Sequence, residues 1–224
     1  MAAGSGDAGS AVRRVIQLER AFLAQSVAFM LDHGIRQFLD LGSGVPGEGS
    51  PHDLGGLARP AVRVVHVDHD PGVIERARLV TAGTEARYLL CLNASDVSDV
   101  VSAVMAGGML DERLPTGVVA VGLLHLIPRE DRPHDLLPRY SAELASESMF
   151  AASHLTRWHG CNGTAEVAEL VGGAVHPREQ REFASMFGGL ALVKPGVVAL
   201  PHEWGTRARR IGSAPVLAAI AVKE

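Results

Sequence analysis

Apolar residues fall at helical spacing across Val12–Leu31. Val15, Leu18, Phe22, Val27 and Met30 lie near one face, with Arg13, Arg14, Gln17, Glu19 and Arg20 mostly elsewhere. His33-Gly34 closes this helix, glycine being the usual terminator. The pattern then alternates between short apolar runs and helical stretches. Gln37–Leu41 and the β-branched Ala61–Val67 read as strands, and Pro71 suits the first position of a helix reaching about Ala82. Arg87–Leu92 follows as a third strand, and Asp96 caps a helix that extends to Met109. Val118–Leu124 is a continuous apolar run of the kind buried on both faces of a sheet. A helix over Pro133–Ser146 and a fifth strand over Met149–Ser153 complete this part.

Strands and helices alternating at these lengths require right-handed crossovers and a largely parallel sheet. The last third changes character. Thr164–Val171 and Pro177–Met186 read as helices, and Leu190–Val193, Val197–Leu200 and Pro215–Val222 as closely spaced strands. An antiparallel finish on a parallel sheet is the expected outcome. Repeats and low-complexity linkers are absent, so residues 12–224 are expected to form one domain behind a flexible leader, residues 1–11.

Composition narrows the classes. The chain has 224 residues, 47% hydrophobic and 21% charged with a net charge of −4, which excludes a disordered tail and a strongly basic nucleic-acid binder. Val118–Ile127, the longest apolar stretch, contains Gly122 and His125 and falls short of the roughly 18 residues needed to span a bilayer. Met1–Ser10 lacks the basic start and apolar block of a signal peptide. Cys91 and Cys161 make a poor disulfide framework, so a reducing cytoplasm is the expected address. Basic charge is almost all arginine, Lys194 and Lys223 being the two lysines.

Candidate chemistry gathers at strand ends. Asp40-Leu-Gly-Ser-Gly44 follows the first strand, where glycines permit a sharp turn and close approach of a ligand to the backbone. A plain tight turn can look the same, and the dinucleotide and P-loop spacings are missing. Asp68 ends the second strand, where a carboxylate can accept from both hydroxyls of a ribose. Asp70, directly before Pro71, reads instead as a helix cap. Asn93-Ala94-Ser95-Asp96 leaves the third strand, and either Asn93 or Asp96 is placed to meet an adenine amino group. His125 leaves the fourth strand and His154 ends the fifth, so each is a candidate general base or a histidine satisfied by backbone. Tyr140 and Asp131 are weaker candidates. The histidines show no HxH, HxxxH or HExxH spacing, so no metal site is expected.

Four blocks together are more specific than any one turn. Gly34–Gly44, Val64–Pro71, Val121–Pro128 and Ser153-His154 resemble, in order, the actinobacterial-type S-adenosylmethionine-dependent methyltransferases long catalogued as a domain of unknown function. The tail Pro177–Phe187 through Leu192–Gly196 is similar as well, so the resemblance covers residues 12–222. It implies α/β architecture of the Rossmann-like class I methyltransferase type, a seven-stranded mostly parallel sheet with a C-terminal antiparallel hairpin and helices on both faces. It implies S-adenosylmethionine as cofactor, with Asp40, Gly42, Ser43 and Gly44 on its methionine and ribose side. Asp68 then holds the ribose, Asn93 stands where the family has Asp, and His69, Ala94 and Gly122 are further cofactor-binding candidates. Family members usually carry an extra segment ahead of the Val12–Leu31 helix that helps cover the cofactor. A short front implies a more open pocket, a lid from a second subunit in a homodimer, or altered chemistry.

The leading expectation is therefore methyl transfer to an oxygen or nitrogen of a small molecule, in secondary metabolism, with His125 or His154 as base. Net acidity argues against a nucleic-acid acceptor, although Arg207, Arg209 and Arg210 form a small basic cluster. Two alternatives stand beside it. One is a related enzyme repurposed for cyclisation, isomerisation or elimination, and the other is a non-catalytic cofactor-binding subunit.

Overall fold

The structure, a computed structural model, describes residues 8–57, 62–83, 87–157, 163–202 and 215–224. Residues 1–7 of the expected leader, Cys161 and the Arg207–Arg210 cluster lie outside the described residues. The elements run α1 (Ala8–Asp32), β1 (Gln37–Leu41), α2 (Pro51–Leu57), β2 (Arg63–Asp68), α3 (Pro71–Thr81), β3 (Arg87–Cys91) and α4 (Val97–Ala106). They continue with β4 (Gly117–Ala120), α5 (Leu136–Glu143), β5 (Met149–Leu155), α6 (Gly163–Val171), α7 (Gln180–Ser185), β6 (Ala191–Leu192), β7 (Val198–Ala199) and β8 (Val216–Val222). Among the described residues no helix is long and apolar enough to cross a membrane.

The strands form one sheet in the order β3-β2-β1-β4-β5-β8-β6, with β7 also paired to β8. The first five strands are parallel, and β8 runs antiparallel to β5. The seventh place is filled by a broken strand. Leu192 pairs with Ala221 and Val198 with Ala218, and the Val193 amide still donates to Ile220 O at 2.8 Å, so residues 194–197 bulge out. Eight strands thus occupy the seven places expected from the resemblance. Pro195, which has no amide to donate, and Gly196 sit in the bulge, where the ladder can spare them.

Alternation along the central strands sorts the core into two layers. Phe38 and Val64 face one layer with Phe22, Val27 and Met30 of α1. Leu39, Leu41, Val65 and Val67 face the other, with Val100 of α4, Tyr140 of α5 and Phe183 of α7. The period of two puts Asp40 and His66 on the α1 face, directly across from each other in register. Asp70 caps α3 as expected, its carboxylate accepting from the Gly72 amide at 2.7 Å.

Several boundaries differ from the sequence reading. α1 begins at Ala8, four residues inside the expected leader. β4 stops at Ala120 because Gly122 (φ 74°) turns the chain, and Leu124–Leu126 forms a 3₁₀ turn. The apolar run continues past the strand because Leu124 and Ile127 are buried beneath that turn. Pro133 opens a separate 3₁₀ turn, so α5 starts only at Leu136, and α4 ends at Ala106 ahead of Gly107. α2 is a short helix with two glycines, Gly55 and Gly56, which hide it from a propensity reading.

Candidate active site at the carboxyl edge of the sheet

The parallel strands β1 to β5 present their carboxyl ends along one edge, where the expected site residues come to lie. Asp40-Leu-Gly-Ser-Gly44 leaves β1 with Gly42 at φ 63° and Gly44 at φ 59°. A side chain at Gly42 would meet Leu123 Cδ1 at 2.8 Å, so the turn packs tightly beneath. A Cβ at Gly44 would meet nothing within 4 Å, so its outer side is open to a ligand. The Ser43 amide donates to Val67 O at 3.1 Å, and the Gly44 amide donates to Asp68 Oδ2 at 3.0 Å.

Asp68 is 8% exposed, and its other oxygen accepts from the Asp70 amide at 3.0 Å. A carboxylate offers about four acceptor positions, so capacity remains beyond these two amides. His69, next along, is exposed with Nδ1 3.7 Å from Asp68 Oδ1. Asp40 is buried, and its Oδ2 lies 3.0 Å from His66 Nδ1. The imidazole donates there, which fixes the Asp40 side chain beneath the glycine turn.

Farther along the edge, Asn93 Oδ1 accepts from the Ser95 amide at 2.9 Å, closing an Asx turn after β3. Ala94 is buried, and its carbonyl accepts from the Tyr140 hydroxyl at 2.8 Å. Burial pushes the Tyr140 phenol well above its ordinary value. Tyr140 is thereby a structural prop, while Asp131 is exposed in the 3₁₀ turn Arg129–Asp131. Asp96 stands at the start of α4, but its side chain makes no capping hydrogen bond.

A cavity of about 350 Å³ opens beside the glycine turn. Asp40, Gly42, Ser43, Gly44 and Val121 line it. That volume lies within the roughly 300–1,000 Å³ usual for small-molecule sites. Helix α1 supplies one wall through Ile16, Glu19, Arg20 and Leu23. Asp68, Asn93 and Ala94 continue the same sheet edge outside this cavity, toward β2 and β3.

Glu19 was legible on the sequence only as a polar position of the first helix. In the fold its Oε1 accepts from the Ser153 hydroxyl at 2.9 Å, and Ser153 Oγ in turn accepts from the Gly122 amide at 2.8 Å. Glu19 is half-buried and lines the cavity. Burial raises its pKa from 4.5 to about 7, with the Ser153 hydrogen bond acting in the opposite direction. Val15, Glu19 and Phe22 stand at i, i+4 and i+7, so helical spacing puts this carboxylate within the apolar stripe of α1. The signal was a carboxylate on the same helix as the buried Val15 and Phe22.

The two candidate histidines are brought together, but away from the cavity. Alternation along β5 turns Ser153 toward α1 and the neighbouring His154 toward α7. His154 is fully buried; Nδ1 donates to Leu155 O at 2.7 Å and Nε2 accepts from Arg178 Nη1 at 3.0 Å. His125 is buried in the 3₁₀ turn after β4, its ring edge-on to His154 at 5.8 Å, and neither histidine lines the cavity. Burial, with Arg178 nearby, lowers their pKa values to about 3 for His125 and about 4 for His154. Of the two readings the sequence left open for each histidine, the geometry favours the one satisfied by its surroundings, since both rings pack in the layer beside α7 rather than along the cavity. Arg178, also missed in the sequence, ties this cluster together by donating to Leu124 O at 3.0 Å and Ile127 O at 2.8 Å.

A glycine cradle joined to a ribose-competent acid, at the carboxyl edge of a 3-2-1-4-5 parallel sheet, is where open α/β sheets bind nucleosides. Residues 2–223 match the model of the S-adenosyl methyltransferase family. The chain belongs to the S-adenosyl methyltransferase family. Among curated proteins none matches it. A Thermobifida fusca protein described as a methyltransferase candidate shares 24% identity, with 96% of this chain and 83% of that chain covered, at a TM-score of 0.84. A DUF574 family protein from Streptomyces avermitilis shares 26% identity over 97% of this chain and 90% of its own, at a TM-score of 0.79. At 18% identity and a TM-score of 0.57, a Burkholderia thailandensis 1,6-didemethyltoxoflavin-N1-methyltransferase shares the fold over 100% of this chain and 92% of that chain.

S-adenosylmethionine is the cofactor of this family, and the residues present fit it. The turn at Ser43-Gly44 is uncovered, so an incoming ligand can approach the backbone. Glu19, Asp40 and Glu48 outnumber Arg20 around the cavity, which suits a ligand carrying sulfonium and ammonium charges.

Proposed function

We propose that this S-adenosyl methyltransferase methylates an oxygen or nitrogen nucleophile of a small molecule, in the secondary metabolism of a cytoplasm. The observation that carries the site assignment is the hydrogen bond from the Gly44 amide to Asp68 beside the open cradle. S-adenosylmethionine supplies an activated methyl group, and the protein's task is to align the acceptor and exclude water. Asp68 would accept from the ribose hydroxyls through the capacity its two amide partners leave. Gly42, Ser43 and Gly44 would carry the methionine side, over the Asp40 carboxylate that His66 holds in place. Asn93 keeps a second lone pair on its amide oxygen for the adenine amino group, with Ala94 and His69 flanking.

The acceptor would enter near Val121 and Gly122, at the β4 exit. An acceptor of small-molecule size matches the cavity, and the acidic surroundings disfavour a polyanion. The buried His125 and His154, with Arg178, would serve as a structural core beneath the β4 exit rather than as bases.

The test is incubation with S-[methyl-³H]adenosylmethionine and a panel of phenols, amines and carboxylic acids, followed by mass spectrometry. Label in an organic product together with an equal amount of S-adenosylhomocysteine is the expected result. Cofactor binding without S-adenosylhomocysteine across the panel would instead favour a repurposed, non-methylating enzyme.

A further inference from the structure

The geometry points to Glu19 as the proton acceptor of the site: its Oε2 receives the proton of the acceptor group while Ser153 holds Oε1. The hydrogen-bond directions assign the two oxygens. The Gly122 amide donates to Ser153 Oγ, and the Ser153 hydroxyl proton therefore points at Glu19 Oε1. A proton arriving on this carboxyl goes to the other oxygen. Oε2 lies 3.2 Å from the point where a Cβ would stand on Gly122, so a side chain there would crowd this oxygen and glycine leaves room beside it at the β4 exit. Among the chemistry-bearing groups at that exit, Glu19 lines the cavity, whereas His125 and His154 do not.

The charged surroundings support this role. Arg20, Asp40 and Glu48 are the other ionisable groups around the cavity. Of the elements packed on α1, α2 carries His52 and Asp53, α6 carries Glu166 and Glu169, and β5 carries His154; β4 and β8 carry none. Burial holds the Glu19 carboxyl between its protonated and ionised forms near neutral pH. A positive charge brought into the cavity favours the ionised form, which is the form able to take a proton.

The inference rests on the methyl-transfer reading, and the step balances within it. The acceptor's oxygen or nitrogen bonds to the methyl carbon as the methyl carbon–sulfur bond breaks, and that electron pair stays on sulfur. The acceptor's proton passes to Glu19 Oε2, leaving a neutral carboxylic acid that returns the proton to solvent after product leaves.

Proton linkage tests this without an identified acceptor. The full chain is titrated calorimetrically with S-adenosylmethionine and, separately, with S-adenosylhomocysteine, in two buffers of different ionisation enthalpy at pH 7. The sulfonium charge should drive off up to about half a proton more per site than the uncharged thioether does. Glu19→Gln, which keeps the shape and the Ser153 contact, should erase that difference while both molecules still bind. Equal proton counts in the wild type, or a difference that persists in Glu19→Gln, would overturn the assignment. Should Glu19→Gln bind neither molecule, the wild-type pH series decides. The difference must vanish by about pH 9, where Glu19 is already ionised, and a difference constant with pH overturns the assignment. Failure of the wild type to bind either molecule would defeat the methyl-transfer reading itself, a different outcome from binding with equal counts.

Discussion

The Gly44 amide donates to the Asp68 carboxylate at 3.0 Å, which makes the turn after β1 and the acid that ends β2 one unit. The bond positions the glycine turn and the carboxylate proposed as ribose acceptor relative to each other before any ligand arrives. Such preorganisation lowers the ordering cost that binding would otherwise carry. The two features meet because the parallel register Leu41↔Val67 brings the exits of β1 and β2 side by side.

Gly44 tests the cradle. Gly44→Val should cost about 1–2 kcal/mol of stability, because a side chain is disfavoured at its left-handed φ, while nothing nearby clashes. Its Cβ branches would occupy the ligand side, so affinity for S-adenosylmethionine should fall at least about tenfold. Thermal melts and calorimetry measure the two effects. Gly173→Ala, at an open position of ordinary φ, should change neither.

The buried histidines predict acid sensitivity. Their folded pKa values, about 3 and about 4, lie below the ordinary 6.5, so the native state stays unprotonated while the unfolded chain takes up protons. Their contribution is fully present above about pH 6.5 and is lost as pH falls toward 4, by at most about 3 kcal/mol each. Urea unfolding from pH 7.5 down to 4 should show this slope. His125→Leu should remove that histidine's share of the slope, with His154 keeping its own, and leave S-adenosylmethionine affinity intact, since His125 lies off the cavity.

Arg178→Met should destabilise the chain by about 3 kcal/mol, because the carbonyls of Leu124 and Ile127 and the His154 ring lose a buried donor. Hydrogen exchange should accelerate first in the Leu124–Ile127 turn. A uniform acceleration over the whole chain would contradict the local role.

Glu19 carries the opposite sign to the histidines. Its folded pKa is raised from 4.5 to about 7, so native stability declines as pH rises through that window and the carboxyl must ionise inside the protein. Glu19→Gln should match the wild type below about pH 4.5 and exceed it by up to about 3 kcal/mol above pH 7. Unfolding curves for the two proteins at pH 4, 6 and 8 measure the divergence.

Much of the fold was legible because its signals are local. The Gly42 and Gly44 turn, the Asp70 cap before Pro71 and the β-branched run in β2 each declare themselves within a few residues. Leu190–Val193 and Val197–Leu200 were legible as strands, but their sharing of one edge was not, since Ala191–Leu192 and Val198–Ala199 are set in line only through pairing with the distant β8. The histidines illustrate the sharper limit. Ser153 and His154 are adjacent in sequence, but a strand sends them to opposite faces, and only α1 and α7 determine which face holds the cavity. Glu19 escaped for the same reason, its partner Ser153 lying 134 residues away.

Calorimetric binding of S-adenosylmethionine to the wild type and to Asp68→Ala tests the central claim most directly. The wild type should bind at one site, and Asp68→Ala should lose about 1–3 kcal/mol of affinity, since ribose hydroxyls and the Gly44 amide lose their acceptor. No binding by the wild type, or equal affinity in the two proteins, would contradict the site described at the Gly44–Asp68 edge.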